Sequence, residues 1–422
     1  MDAPATLAAH VDDLCQRARP AARAVALAPG EQRRQAVLAA ADALAADANA
    51  ITSANTRDLD QGRSDGVAPA MLDRLKLDAK RLEGVVADLR AIADLPDPVG
   101  RRLEARPIAQ GVAMEKIAVP IGVVAIIFES RPNVTVDAAG LCLRSGNACI
   151  LRGGKEAVHS NRALAAAVRR GIASAGLPAD AVQLVMEQDR ALVPLLLSRD
   201  DAIDLAIPRG GESLIRSVVA CSKVPVIKHD KGVCSLYVHA GADLDMALRL
   251  VVNAKVQRPG VCNAIENLLV DTAVAPAFLP RLSAEMAKHG VELRADATAL
   301  PLLPGAIPAT EADWSTEYLA LILAVKTVHD VEEAIRFTDR WGSHHSDGIV
   351  TADVAVAERY LAAVDSACVY HNASTRFTDG AQFLLGAEVG ISTNRVHARG
   401  PMGLAELCTY KYVLRGTGQV RL

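Results

Sequence analysis

Residues 121–128 read IGVVAIIF, a run of eight without one polar side chain, and no other feature constrains the fold as strongly. A strand that is apolar on both faces has to be buried on both, which calls for a sheet covered by helices. The following segments supply them. VTVDAAGLCLRS reads as a helix, NACILR as the next strand, and a long helix runs from about His159 to Ala175. The alternation continues through the strand AVQLVM, a helix over RALVPLLLS, the strand AIDLAIP and a helix over GESLIRSVVACS, ending in the strands VPVIKH and GVCSLYVH. Strands joined in this way build a parallel, doubly wound sheet.

A second α/β unit follows Lys255. Its elements are the strand ENLLV, a helix from Pro276 to His289, the strand LALILAV, a helix near VEEAIRFTD, the strand GIVTA and the helix VAVAERYLAAV. The first hundred residues are Ala-rich, carry apolar positions at helical spacing and read as a helical cap. After the breaker PDPVG, the alternation in RRLEARPIAQGVAMEKIAVP predicts a strand or hairpin. A length of 422 residues suits two large units.

Composition narrows the function. With a net charge of −3 and 23% charged residues there is no basic face for nucleic acid. No stretch of about 20 apolar residues is present to cross a membrane. The first residues mix acids with apolar side chains, so a cytoplasmic location is expected. The eight cysteines, Cys15, Cys142, Cys149, Cys221, Cys234, Cys262, Cys368 and Cys408, include no CxxC pair and no zinc-ligand spacing. Most lie in apolar sequence, as Cys149 and Cys234 do, and read as small buried hydrophobes.

Cys262 differs. In RPGVCNAIENLLV, Pro259 and Gly260 form a turn that presents it just before a buried strand. A thiol attacks acyl carbons and leaves as a thiolate, and a thioester accepts hydride, so the placement suits interconversion of an acyl group and an aldehyde. By spacing alone, an ordinary loop cysteine remains the commoner reading. The first βαβ unit lacks a GxGxxG fingerprint and runs instead into FESRPNV. Its second strand ends in Arg152, Gly153, Gly154, Lys155 and Glu156, where cations would welcome the extra phosphate of NADP. In IPRGGESL, Gly210 and Gly211 open a helix whose N–H groups can approach a phosphate. His344 and His345 are adjacent, so their side chains diverge, and no metal is expected.

The segments IGVVAIIFESRPNV, GNACILRGGKEA, IPRGG, RPGVCNA, TEYLALILAV, NASTRF and GAEVGISTNRVHARGPMGLAELCTYK occur in that order over roughly residues 100 to 418. Together they resemble the successive signatures of the γ-glutamyl phosphate reductases, within the aldehyde dehydrogenase superfamily. The resemblance implies an α/β, aldehyde dehydrogenase-like fold: two doubly wound α/β domains with a small oligomerisation β-flap. On this chain the expected boundaries are 1–102 with 120–255 for the helices and NADP-binding domain, 256–395 for the catalytic domain, and 103–119 with 396–422 for the flap.

It also implies a reaction. Cys262 would attack the acyl phosphate of L-glutamate 5-phosphate and expel phosphate, and NADPH would reduce the thioester to L-glutamate 5-semialdehyde. That product cyclises to 1-pyrroline-5-carboxylate on the way to L-proline. Glu317 matches the acid that holds the nicotinamide ribose, and Gly210 with Gly211 matches the turn beside the cofactor phosphates. Lys155 is the first choice for the extra phosphate and Arg152 the second, since the wider superfamily places its lysine there. Asn133 and the Cys262 N–H are the expected oxyanion donors, although SRPN replaces the superfamily's PWN. Arg131, Arg258 and Arg376 are expected on the substrate's phosphate and α-carboxylate. The family often has His where Ser235 stands. A homo-oligomer is expected, and a glutamate kinase is a conceivable partner. The rival, an NAD(P)-dependent oxidising aldehyde dehydrogenase, needs a Glu base from an ELGGK-type segment, and the matching stretch KHDKGVCS has none.

Overall fold

A computed structural model describes residues 3–228 and 231–421. The chain divides into two compact units: the first runs to Lys228 and takes in Leu384–Gly390 and the segment from Met402, and the second runs from there to Phe383 with Ile391–Pro401.

In the first unit the apolar run becomes the strand Val123–Phe128, buried at every position. It lies inside a four-stranded parallel sheet in the order Val182–Leu184, Ala148–Gly153, Val123–Phe128, Leu205–Arg209. The chain lays down its first three strands in one direction and then crosses to the other side of Val123–Phe128. The carboxyl ends of Val123–Phe128 and Leu205–Arg209 therefore form the switch point of the sheet, where α/β folds bind ligands. The expected cap is present as helices Ala3–Leu27, Gly30–Ala46, Ala48–Ser64, Pro69–Leu75 and Ala79–Asp94. It is tied to the sheet layer by Asp58, whose carboxylate accepts the N–H groups of His159 and Ser160 at the start of helix Val158–Ser174. The expected hairpin forms as Arg102–Pro107 paired antiparallel with Ala113–Pro120, and Cys408–Arg415 completes a three-stranded sheet.

The second unit holds seven parallel strands in the order Ile307–Pro308, Glu292–Ala295, Ile322–Val328, Ile265–Asp271, Cys234–Val238, Ser346–Val350, Cys368–His371. Its core packs Phe278, Leu279, Leu282 and Met286 of helix Ala275–Lys288 against Leu236, Leu268 and Leu323 of the sheet. The division between the units falls at Lys228, not at the expected 255. Cys234–Val238 pairs with Ile265–Asp271 and Ser346–Val350, so GVCSLYVH belongs to the second sheet. VPVIKH contributes only a single bridge, from Val226 to Ala206. An apolar strand pattern states that a strand is buried, not which sheet it joins.

Candidate active site

The loop that carries Cys262 is delivered by helix Leu244–Val256, capped at its start by the Asp243 carboxylate on the N–H groups of Asp245 and Met246. The loop leads into the buried strand Ile265–Asp271. Between them Cys262 is partly exposed, and its backbone lies against Gly232. A Cβ on Gly232 would stand 2.1 Å from the Cys262 carbonyl oxygen and 2.4 Å from its Cα, so only glycine fits there. The neighbouring residue is fixed from both sides. Asn263 Nδ2 donates to the Thr378 carbonyl at 2.7 Å, and the Asn263 carbonyl accepts from Thr375 Oγ1 at 2.7 Å. Cys234, expected as a plain core cysteine, is buried but points its Sγ at the Cys262 carbonyl oxygen, 3.1 Å away. Burial pushes the Cys234 thiol well up, which leaves it a neutral donor.

Glu317 reaches the same place. Its Oε1 accepts the Gly232 N–H at 2.9 Å, so the thiol's backbone and the carboxylate converge on one glycine. Arg376, in the turn after Cys368–His371, sends Nε to Gln257 Oε1 at 3.0 Å. Burial and then the like charge of Arg258 hold its pKa down, and the Cys262 thiol lies within its electrostatic reach. Arg258 itself is exposed. Arg376 thus lies within reach of both the thiol and a second guanidinium, an arrangement that suits a substrate carrying two anionic groups.

His344 and His345 diverge as expected. His344 Nδ1 meets the Asp365 carbonyl at 2.8 Å, whereas His345 is fully buried with Nδ1 at 2.8 Å from Ser346 Oγ and 3.8 Å from Cys234 Sγ. Ser346 Oγ continues to Thr378 Oγ1 at 2.6 Å, and Thr378 to Tyr370 at 2.6 Å. Ser235, where the family often has His, is fully buried, and its N–H donates to Asp347 Oδ1 at 2.7 Å. Among the described residues no group of three or more His, Cys, Asp or Glu could hold a metal.

In the first unit, Gly210 and Gly211 sit at the switch point, before helix Glu212–Cys221. The Gly211 N–H donates to Glu129 Oε2 at 3.1 Å, and a Cβ on Gly210 would lie 2.4 Å from that same oxygen. Glu156 accepts the N–H and Oγ of Ser130 at 2.6 and 2.9 Å and lies within electrostatic reach of Arg152. Lys155 is exposed in the turn. Arg152 donates to the carbonyls of Gly153 and Gln188, both at 3.2 Å, and its buried Nε has no acceptor among the described residues. Asn133 opens helix Val134–Arg144 and donates Nδ2 to Asp137 Oδ2 at 2.8 Å. Arg131 is exposed at the start of the same segment.

The model of the aldehyde dehydrogenase family matches residues 1–304. Over 409 residues, 97% of this chain and 99% of the relative, the sequence is 50% identical to the γ-glutamyl phosphate reductase of Nautilia profundicola. It is also 50% identical over 415 residues to that of Moorella thermoacetica, covering 98% and 99% of the two chains. The chain belongs to the γ-glutamyl phosphate reductases. The crystal structure of the Thermotoga maritima member superposes with a TM-score of 0.96 at 41% identity, covering 98% of this chain and 100% of that one.

Within this family setting, the second unit gathers four of the sequence-derived residues, Cys262, Glu317, Arg376 and Arg258, around one loop. Arg131, Asn133, Arg152, Lys155, Gly210 and Gly211 lie in the first unit. Sequence reasoning missed Gly232, the Cys234 bond and a buried ion pair of Lys255 with Glu266. Only the pair left a signal: a Glu inside the buried strand of NAIENLLV, where a buried charge demands a partner.

Proposed function

We propose that the chain reduces L-glutamate 5-phosphate to L-glutamate 5-semialdehyde and phosphate, with NADPH as reductant and Cys262 as covalent nucleophile, in L-proline biosynthesis. The observation that carries the reading is the convergence on Gly232. The stretch packed against the thiol's backbone contributes a glycine there, and the carboxylate that reaches that glycine, Glu317, is held by its N–H and assigned to the cofactor, whereas hydrolysis of a thioester would need a carboxylate base. Cys262 Sγ attacks the acyl carbon, the C–O bond to phosphate breaks, and Arg376 with Arg258 meets the phosphate and α-carboxylate charge. The Cys262 N–H and Asn133 serve as oxyanion donors. When bound, NADPH supplies the hydride that reduces the thioester. The Cys262 thiolate then leaves the tetrahedral carbon, and the free aldehyde cyclises to 1-pyrroline-5-carboxylate.

The cofactor fits the residues present. The acceptor-less Nε of Arg152 and the exposed ammonium of Lys155 suit the extra phosphate of NADP, Gly210 and Gly211 leave backbone room at a helix start, and Glu317 would hold the nicotinamide ribose. Assembly into a homo-oligomer is supported by the exposed Tyr410, Tyr412 and Leu414 on the edge strand Cys408–Arg415. A glutamate kinase is the proposed source of the labile acyl phosphate. Among the described residues no helix is long and apolar enough to cross a membrane.

The test runs the reaction backward. Phosphate dianion is already a nucleophile near pH 7, while water needs a base as it attacks. Oxidation of the semialdehyde with NADP should therefore depend on phosphate or arsenate and nearly vanish without either. NADPH formation at a similar rate in phosphate-free buffer would establish the oxidising reading instead.

A further inference from the structure

Lys255 and Glu266 are both fully buried, and their Nζ and Oε2 lie 2.6 Å apart. They flank the nucleophile loop, Lys255 in the last turn of the helix that enters it and Glu266 in the strand that leaves it. The ammonium also donates to the Ile265 carbonyl at 3.0 Å, so it holds the beginning of that strand twice. The second carboxylate oxygen accepts the Leu319 N–H at 3.2 Å. Leu319 has φ +53°, in the left-handed region, and lies two residues beyond Glu317. Glu317 in turn accepts the Gly232 N–H, and Gly232 lies against the backbone of Cys262. The contacts close a ring from the loop through the ion pair to the Glu317 segment and back to the thiol.

Burial alone does not explain such a pair, because apolar residues of similar volume would serve a core as well or better. Burial pushes the Glu266 carboxyl up to about 7 and the Lys255 ammonium down, so charge there carries a cost that their attraction and the bonds to Ile265 and Leu319 offset. We infer that Lys255 and Glu266 are a positioning pair, holding the Cys262 loop and the Glu317 segment in one register so that thiol and cofactor carboxylate keep a fixed relation. The inference rests on the proposed roles of Cys262 and Glu317.

The test uses the full-length Lys255→Met/Glu266→Leu double variant, which removes both charges without orphaning either. Two readouts are taken: the rate at which iodoacetamide alkylates Cys262, followed by peptide mass spectrometry, and the KM for NADPH. The proposal expects a folded protein with a wild-type melting temperature to within a few degrees, alkylation slowed by about fivefold or more, and KM for NADPH raised by about tenfold. A folded double variant with both readouts within about twofold of wild type overturns it. If the double variant does not fold, Glu266→Gln, which keeps the shape and an acceptor for Leu319, is judged by the same two readouts. The alkylation rate needs no turnover, so it reports on the pair even if Glu317→Gln shows that the carboxylate does not hold cofactor.

Discussion

In the first unit, Gly210, Gly211, Glu129 and Arg152 gather where strands finish. In the second, Gly232, Cys262 and Glu317 precede the strands Cys234–Val238, Ile265–Asp271 and Ile322–Val328, so they gather where strands begin. The two ends of a parallel α/β sheet differ electrically. Helices that follow strands turn their N-termini, with free N–H groups and partial positive charge, toward the carboxyl ends, and their C-termini, with free carbonyls, toward the amino ends. The first unit can meet a cofactor phosphate with backbone N–H groups at the start of helix Glu212–Cys221. The second lies beside the C-terminus of helix Leu244–Val256 and has to import its positive charge on Arg258 and Arg376. Anion recognition should therefore rest on side chains at the thiol and be shared with backbone at the cofactor.

The largest effect separates cysteines in the two settings. Cys262→Ala should lower kcat by about a thousandfold or more while the denaturation midpoint stays put, because a partly exposed loop thiol contributes little to packing. Cys149→Ala, at a fully buried strand position, should cost roughly 1–2 kcal/mol of stability and leave kcat unchanged. A folded Cys262→Ala enzyme keeping more than a few per cent of wild-type turnover would sink the nucleophile assignment. Cys234→Ala falls between them, since it loses core packing and the thiol's bond to the Cys262 carbonyl, and both stability and kcat should drop.

Next comes the imported charge. Arg376→Met should raise KM for L-glutamate 5-phosphate roughly 10- to 100-fold, the loss of a charged hydrogen-bond pair worth about 1.5–3 kcal/mol. Arg258→Met should act more weakly because water screens an exposed guanidinium. Steady-state kinetics decide. An Arg376→Met enzyme with KM within about twofold of wild type would remove it from substrate binding.

At the cofactor end the effect should be smaller and selective. Lys155 is exposed, so its contact with a phosphate is screened and worth about 1 kcal/mol, or roughly a fivefold rise in KM for NADPH on Lys155→Met. The KM for NADH should not move. An equal change in both would transfer the role to Arg152, whose buried Nε already awaits an acceptor.

Periodicity revealed the elements because burial is written residue by residue: every position of Val123–Phe128 is apolar and every one is buried. The family signatures singled out Cys262 and its arginines in the same local way. What stayed hidden depends on contacts distant in sequence. Gly232 looks like punctuation until Cys262, thirty positions later, lies against it, and Cys234 looks like core until its thiol is found on that same residue's carbonyl. The unit boundary failed for a related reason, since Cys234–Val238 is as apolar as a strand of either sheet and only its pairing decides.

The smallest expected effect concerns Asp137, a rare ionisable side chain in a helix of the first unit that is otherwise nearly all buried and apolar. Burial raises its carboxyl to about 7, Asn133 and Arg209 oppose the shift, and Asp88 adds to it. With the folded value above the ordinary 3.8, the unfolded chain gives up its proton first as pH rises. The contribution to stability is thus fully present below about 4 and is lost progressively up to about 7. Asp137→Asn cannot titrate, so the stability of wild type relative to this variant should fall between pH 4 and pH 7 and level off above. The slope can be no more than about 1.4 kcal/mol per pH unit, and water reaching this partly exposed group will hold it well below that. The new side chain still offers an oxygen to Asn133 Nδ2, so the proposed oxyanion donor keeps its orientation and kcat at pH 7 should change by less than about twofold. Urea midpoints of both proteins at pH 5, 6, 7 and 8 make the measurement. A difference that is flat across that range would mean Asp137 is ionised throughout, and that charge on the first unit's helix is carried by Asp137 itself with Arg209 as its counter-ion.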